Sequence, residues 1–238
     1  MKYHLATLGL FPFLIAQARY VKRITPVLPE AEGARSGAVG SGSKLGVFII
    51  GDSAAAGVGV ATQQEALSGQ LIAKLGVEFH VSWKLNATTG HTVKDVLASL
   101  KAAPSESFEV AVVSVGVNDV SGRTGSKQWI AQLLEMIHLL KSKFGVQHII
   151  LTGLPPMHLF QVLPQPLRWY VGFRAKQLNE MLRALVDIDA QCELIEPDFP
   201  FESHFLATDG FHPAAPAYSL WGQLAAATIK RRFQPERS

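Results

Sequence analysis

Short runs of consecutive apolar residues alternate along the chain with longer stretches in which apolar residues recur every three or four positions. The runs at 45–50, 78–85, 109–115, 147–153 and 192–196 are rich in Val, Ile, Leu and Phe. Strands are read at all five, and the continuous apolar run from Leu45 to Ile50, bounded by Gly51, predicts a strand covered on both faces. Between them, Ile130, Leu133, Leu134, Ile137 and Leu140 share one helical face, with Lys141 and Lys143 in the last turn and Gly145 as the stop. Val171, Leu178, Met181, Leu182 and Leu185 mark a second helix, and Tyr218, Trp221, Leu224, Ala225 and Ile229 a third, with Pro213 suited to its first position. Strand and helix in alternation predict an α/β fold with parallel strands and helices on both faces, a three-layer α/β/α sandwich.

The first 43 residues stand apart, and the domains expected are an N-terminal apolar segment with a Gly/Ser-rich connection over 1–43 and one catalytic-size domain over 44–238. Leu5 to Ala18 is apolar, but Pro12 interrupts the run, which is too short to cross a bilayer as a helix. Ala16-Gln17-Ala18 resembles a signal-peptidase site, yet Arg19, Lys22 and Arg23 follow at once and oppose translocation. The segment is therefore expected to dock on the domain or to make peripheral membrane contact, which places the protein in the cytoplasm or at a membrane surface. Export is the alternative if 1–18 is a cleaved signal. Gly33 to Ser43 reads as a flexible connection.

Composition narrows the function classes. The chain has 238 residues, of which 48% are apolar and 17% charged, enough for one large core, and no repeat divides it. A net charge of +3 with scattered basic residues gives no nucleic-acid footprint, and Lys230-Arg231-Arg232 suits the end of a terminal helix. The single Cys192 excludes an intrachain disulfide and reads as a half-buried structural thiol. The eight histidines show no metal-ligand spacing, so no metal and no cofactor is expected.

The candidate chemistry lies at the ends of the predicted strands. Ser53, in Gly51-Asp52-Ser53, follows the first buried strand and so stands at the carboxyl edge of the sheet, where open α/β folds bind ligands. A serine nucleophile needs a neutral imidazole to take its proton and a carboxylate to orient that imidazole. Asp209 and His212, in Asp209-Gly210-Phe211-His212-Pro213, supply both from one turn. Asn118, after the strand at 109–115, reaches the same edge with an amide able to donate to an oxyanion. Gly90 precedes Thr92 and Asp95, a capping box, so its N–H lies beside a helix N-terminus. Each fragment alone also fits an ordinary turn or helix cap. His204 is a rival base, but it lacks an acid three residues before it. His91 reads as an exposed loop residue.

Gly51-Asp52-Ser53, Gly90, Gly116-x-Asn118-Asp119 and Asp209-x-x-His212-Pro213 resemble, in order, the four blocks of the SGNH hydrolases, also called the GDSL esterase/lipase family. The resemblance spans 45 to 230 and departs at the residue after the serine, which is Ala54 rather than Leu. It implies a flavodoxin-like parallel sheet of order 2-1-3-4-5. It also implies a serine esterase in which Ser53 attacks, His212 serves as base and then acid, Asp209 orients it, and Ser53 N–H, Gly90 N–H and Asn118 hold the oxyanion.

Two further stretches bear on substrate. Pro155 to Pro166 is too proline-dense for a regular helix and is expected to loop over the active edge. Phe199, Phe201, Phe205 and Phe211 crowd the approach to His212; Phe199, Phe201, Phe211 and Met157 are candidates to wall an acyl pocket, although packing of the loop onto the core explains such residues equally. The expected partner is a small-molecule ester with a short to medium acyl chain. The alternatives are a carbohydrate O-acetyl esterase, a lysophospholipase or thioesterase, or a binding module without turnover; neither the physiological substrate nor the oligomeric state is encoded in these patterns.

Overall fold

A computed structural model describes residues 2–122, 124–196 and 202–233. Five parallel strands form the body of the sheet: β2 (Ser43–Gly51), β3 (Phe79–Ala87), β4 (Val110–Ser114), β5 (His148–Thr152) and β6 (Cys192–Ile195). Their order, β3-β2-β4-β5-β6, is the flavodoxin-like arrangement, and every core strand lies within a residue or two of the apolar run that predicted it. β2, β4 and β5 are buried almost throughout, which explains the absence of alternation in their sequences.

The sheet carries a sixth strand, β1 (Ser36–Val39), antiparallel to β3 at the outer edge. This corrects the reading of 33–43 as a flexible connection. All four residues of β1 are exposed, so no face of it needs apolar side chains, and it is held by main-chain pairing and by Arg35, whose carbonyl accepts from Leu85 N–H at 2.7 Å. The glycines serve close approach instead of mobility: a Cβ on Gly42 would lie 1.8 Å from the Glu78 carbonyl oxygen.

Alternate residues of β2 enter different cores. Phe48 and Ile50 pack with α3 (Val93–Ala102), α5 (Ser126–Phe144) and α6 (Leu167–Val186), whereas Leu45, Val47 and Ile49 pack with α2 (Leu67–Leu75) and α7 (Ala215–Phe233). The short α4 (Val117–Ser121) follows β4, and α1 (Lys2–Ile24) docks on the first core through Leu14 and Val21. Two helix faces shift from expectation. Leu134 and Leu224 are exposed, at 48% and 38%, while Trp129, Met136 and Phe144 of α5 turn inward. Pro213 does not open a helix; it bridges to Leu206, and α7 begins two residues later with Pro216 in its first turn. Gly145 ends α5 in the left-handed region, as its position suggested. No helix among the described residues is long and apolar enough to cross a membrane.

Candidate active site

Ser53 sits in the turn that leaves β2, and that turn is fixed from three sides. Asp52 N–H donates to the Ser114 carbonyl at 3.0 Å, Thr88 N–H donates to the Gly51 carbonyl at 3.2 Å, and Val58 N–H closes back on the Ser53 carbonyl at 3.0 Å. From α7, the buried Tyr218 hydroxyl is 2.7 Å from the Val58 carbonyl oxygen and 3.0 Å from that of Ala54. Sequence periodicity marked Tyr218 only as a core position; nothing local reveals that its phenol reaches across the sheet edge.

His212 approaches from the loop before α7. Its Nε2 is 2.8 Å from Ser53 Oγ and its Nδ1 is 2.5 Å from Asp209 Oδ2. The second oxygen of Asp209 accepts from the N–H groups of Phe211 and His212 at 2.9 and 3.0 Å, so one carboxylate fixes both the ring and the loop that carries it. Burial acts to raise the Asp209 carboxyl, but these hydrogen bonds and the adjacent imidazole outweigh it and hold the group below the ordinary 3.8. Gly59 allows the two loops to meet. A Cβ there would lie 2.3 Å from the Pro213 carbonyl oxygen and 3.3 Å from His212 Cβ, and its φ is +108°.

On the other side of Ser53, Asn118 opens α4 at the end of β4. Its Nδ2 donates to the His91 carbonyl at 2.9 Å, which uses one of two N–H bonds and sets the direction of the amide. Gly90 is exposed, with φ +85° and no atom within 4 Å of the place a Cβ would take. The capping box behind it is present: Asp95 Oδ2 accepts from Thr92 N–H at 3.0 Å and from its hydroxyl at 2.6 Å. The structure thus brings Ser53, Asp209 and His212 together by hydrogen bonds, with Gly90 on a loop and Asn118 in the first turn of α4 at the same sheet edge. His204, the rival base, is exposed on a different turn with Glu202 3.5 Å away. His91 is half-buried, and its backbone carbonyl does the positioning of Asn118.

Two carboxyl groups lie beneath these loops. Asp52 is only 2% exposed; burial pushes its carboxyl from 3.8 up to about 7 against the pull of the Ala54 N–H and of His212, and Asp119 raises it further. Asp119, 1% exposed, is raised by burial to about 6 although its Oδ2 accepts from Val93 N–H at 3.1 Å. Both residues were visible as members of their blocks, but their burial was not.

Of the expected pocket residues, Phe199 and Phe201 lie outside the described residues. Met157 begins a short 3₁₀ turn in the proline-rich loop and is buried in the core, and Phe211 is half-buried with its ring edge-on to Phe160, 5.5 Å between centroids. That contact seats the 155–166 loop, which includes a cis Gln165–Pro166 peptide, against the loop of His212. Beside the loop of His212, Gly59, Val60, Leu206, Ala207 and Thr208 line an open groove of about 390 Å³, with Leu28 and Pro29 of the N-terminal segment at its side. Cys192 is buried, more deeply than expected, and burial pushes its thiol up to about 12. Among the described residues no group of three or more His, Cys, Asp or Glu side chains is placed to hold a metal ion.

A serine, an imidazole and a carboxylate joined by hydrogen bonds at the carboxyl edge of a parallel sheet, with a glycine loop and an asparagine at the same edge, form the arrangement of an SGNH-type hydrolase. The profile of the GDSL-like Lipase/Acylhydrolase family matches residues 49–220, and the chain belongs to that family and is a carboxylic ester hydrolase. It is 26% identical to the GDSL-like esterase Rv1075c of Mycobacterium tuberculosis (strain ATCC 25618 / H37Rv), over 92% of this chain and 76% of that protein. Similar folds include the lipase/acylhydrolase from Enterococcus faecalis, with a TM-score of 0.56 at 23% identity over 82% of this chain and all of that one. Est24, a carbohydrate acetylesterase from Sinorhizobium meliloti, gives 0.56 at 16% identity over 79% of this chain and all of that one. At those identities the likeness concerns the fold alone.

Proposed function

We propose that the protein hydrolyses carboxylic esters of short to medium acyl chains through an acyl-enzyme on Ser53. The observation that carries this reading is the unbroken line from Asp209 through His212 to Ser53, at 2.5 and 2.8 Å, assembled from segments 159 residues apart. His212 Nε2 takes the proton of Ser53 as Oγ attacks the carbonyl carbon, then returns it to the leaving alcohol; a water activated by the same nitrogen frees the acid and restores the serine. Asp209 holds the ring and balances the charge it gains. The free N–H of the Asn118 amide, with the Gly90 and Ser53 backbone N–H groups, receives the negative oxygen of the tetrahedral intermediate.

The mostly apolar groove beside Gly59 and Ala207, next to the loop of His212, is consistent with a substrate whose hydrocarbon portion is modest in size, since about 390 Å³ lies near the lower end of small-molecule pockets. A carbohydrate O-acetyl esterase is the second reading, favoured by the resemblance of the fold to Est24. One experiment addresses both. Fluorophosphonate labelling is expected in the wild type and absent in Ser53→Ala, and kcat/KM should rise severalfold per two-carbon step from acetyl to at least butyryl esters, because each buried methylene contributes about 0.8 kcal/mol. An unlabelled wild type would remove the serine mechanism; a steady fall from acetyl onward with turnover of acetylated xylan would move the substrate to carbohydrate.

A further inference from the structure

Helix α1 has two apolar faces, and the fold uses only one of them. Leu14 and Val21 are buried in the core with Leu10 and Ala18 packed beside them, and Gln17 clamps the helix to the start of α6. Its Oε1 accepts from Leu167 N–H at 3.0 Å and its Nε2 donates to the Gln165 carbonyl at 2.6 Å. The docked orientation is therefore set by both packing and hydrogen bonds. Phe13, Tyr20 and Ile24, which fall in one row at i, i+7 and i+11, then point away from the protein and are 65%, 59% and 51% exposed. Val27, just past the helix, is 94% exposed. Arg19 and Arg23 lie along one flank of that row and Lys22 beyond them; all three are exposed, and the helix contains no acidic residue.

We infer that this outer face of α1 docks the enzyme on an anionic phospholipid bilayer. Apolar and aromatic side chains in a row, flanked by cations alone, suit the boundary between headgroups and acyl chains, where Tyr keeps its hydroxyl wet and Arg and Lys meet lipid phosphates. Charge selects the occupant. A purely apolar partner would leave Arg19 and Arg23 without a use, whereas an anionic surface engages the row and that flank together. The docked helix is also mechanically continuous with the site: Gln17 holds the 165–167 segment, Phe160 of the same loop packs on Phe211, and Val162 lies against Gly210, both in the turn that carries His212. Docking would thus hold the enzyme at the surface in which esters with longer chains partition.

The test is sedimentation of the full-length protein with phosphatidylcholine vesicles, pure or with about a third phosphatidylglycerol. Wild type is expected to bind the anionic vesicles and to be released by high salt, and each basic side chain near such a surface contributes about fivefold in affinity. Arg19→Gln with Arg23→Gln should weaken binding by roughly 25-fold. Phe13→Ser with Tyr20→Ser should abolish it while leaving the thermal melt and the hydrolysis of a water-soluble ester unchanged. Ser53→Ala should bind as the wild type does, so vesicle binding stands or falls independently of the esterase reading. An ester dispersed in anionic vesicles, the one arm that rests on that reading, should be turned over faster by wild type than by the Phe13 and Tyr20 variant. Wild type that ignores anionic vesicles would overturn the inference, as would equal binding to both vesicle types or variants that lose self-association instead of lipid binding.

Discussion

Replacing Asp52 by Asn isolates the energetic consequence of burying a carboxyl group behind the nucleophile. In the folded protein Asp52 keeps its proton up to about pH 7, whereas an ordinary aspartate releases it at 3.8. Below 3.8 both folded and unfolded chains hold the proton and the residue adds no pH dependence. Between 3.8 and about 7 only the unfolded chain releases it, so stability falls as pH rises, and above 7 the loss is complete. At about 1.4 kcal/mol per pH unit the loss comes to roughly 4–5 kcal/mol. Asn cannot ionise, and its amide oxygen can still accept the Ala54 N–H that lies 3.1 Å from Asp52 Oδ1. Relaxation of the turn and desolvation of the amide reduce the gain, so Asp52→Asn is expected to be more stable than wild type by roughly 1–3 kcal/mol at pH 8 and nearly equal to it at pH 4. Urea unfolding of both proteins at the two pH values reads this directly. A gain that is the same at pH 4 and pH 8 would show that burial does not raise the carboxyl, and a loss at pH 8 would show that the carboxylate is ionised and stabilising; either would refute the argument. The stabilised variant should also be slower, since an ionised Asp52 attracts the imidazolium that forms on His212 during the reaction.

Three further substitutions probe the remaining supports of the site. Asn118→Ala should lower kcat by about 100-fold with little change in KM, as expected for loss of one oxyanion donor of about 3 kcal/mol; steady-state kinetics that show less than a threefold fall would remove Asn118 from that role. Gly59→Ala forces a Cβ toward the Pro213 carbonyl and His212, and because a 1 Å misplacement costs about 100-fold, kcat/KM should fall by at least that factor in protein whose circular dichroism remains native. Tyr218→Phe leaves the Val58 and Ala54 carbonyls without their hydroxyl donor and should destabilise the fold by about 1–3 kcal/mol in urea; an unchanged midpoint would show that the turn of Ser53 does not depend on α7.

Much of this molecule is determined locally and is therefore legible in its sequence. Short continuous apolar runs that stop at Gly51, Gly116 and Gly153 read as strands covered on both faces, so β2, β4 and β5 were visible, and their alternation with helical periods implied the layered sheet. Ser53 and Asn118 follow such strands, and Asp209 and His212 share one turn, so the edge to which each belongs could be read from position. What that reading could not supply depends on contacts between distant segments. β1 carries no apolar pattern because it is an exposed edge strand, and only its pairing with β3 makes it a strand. Leu134 and Leu224 satisfy the helical period but face solvent, because the width of the buried stripe is set by the neighbouring elements. The same holds at the site. The 2.8 Å approach of His212 to Ser53 requires Gly59 to admit the Pro213 backbone. The orientation of Asn118 rests on the His91 carbonyl, and the raised carboxyl groups of Asp52 and Asp119 follow from burial that no single block reveals. Residue types and strand ends are properties of the chain; desolvation, close approach and the direction of a side chain arise only when the chain is packed.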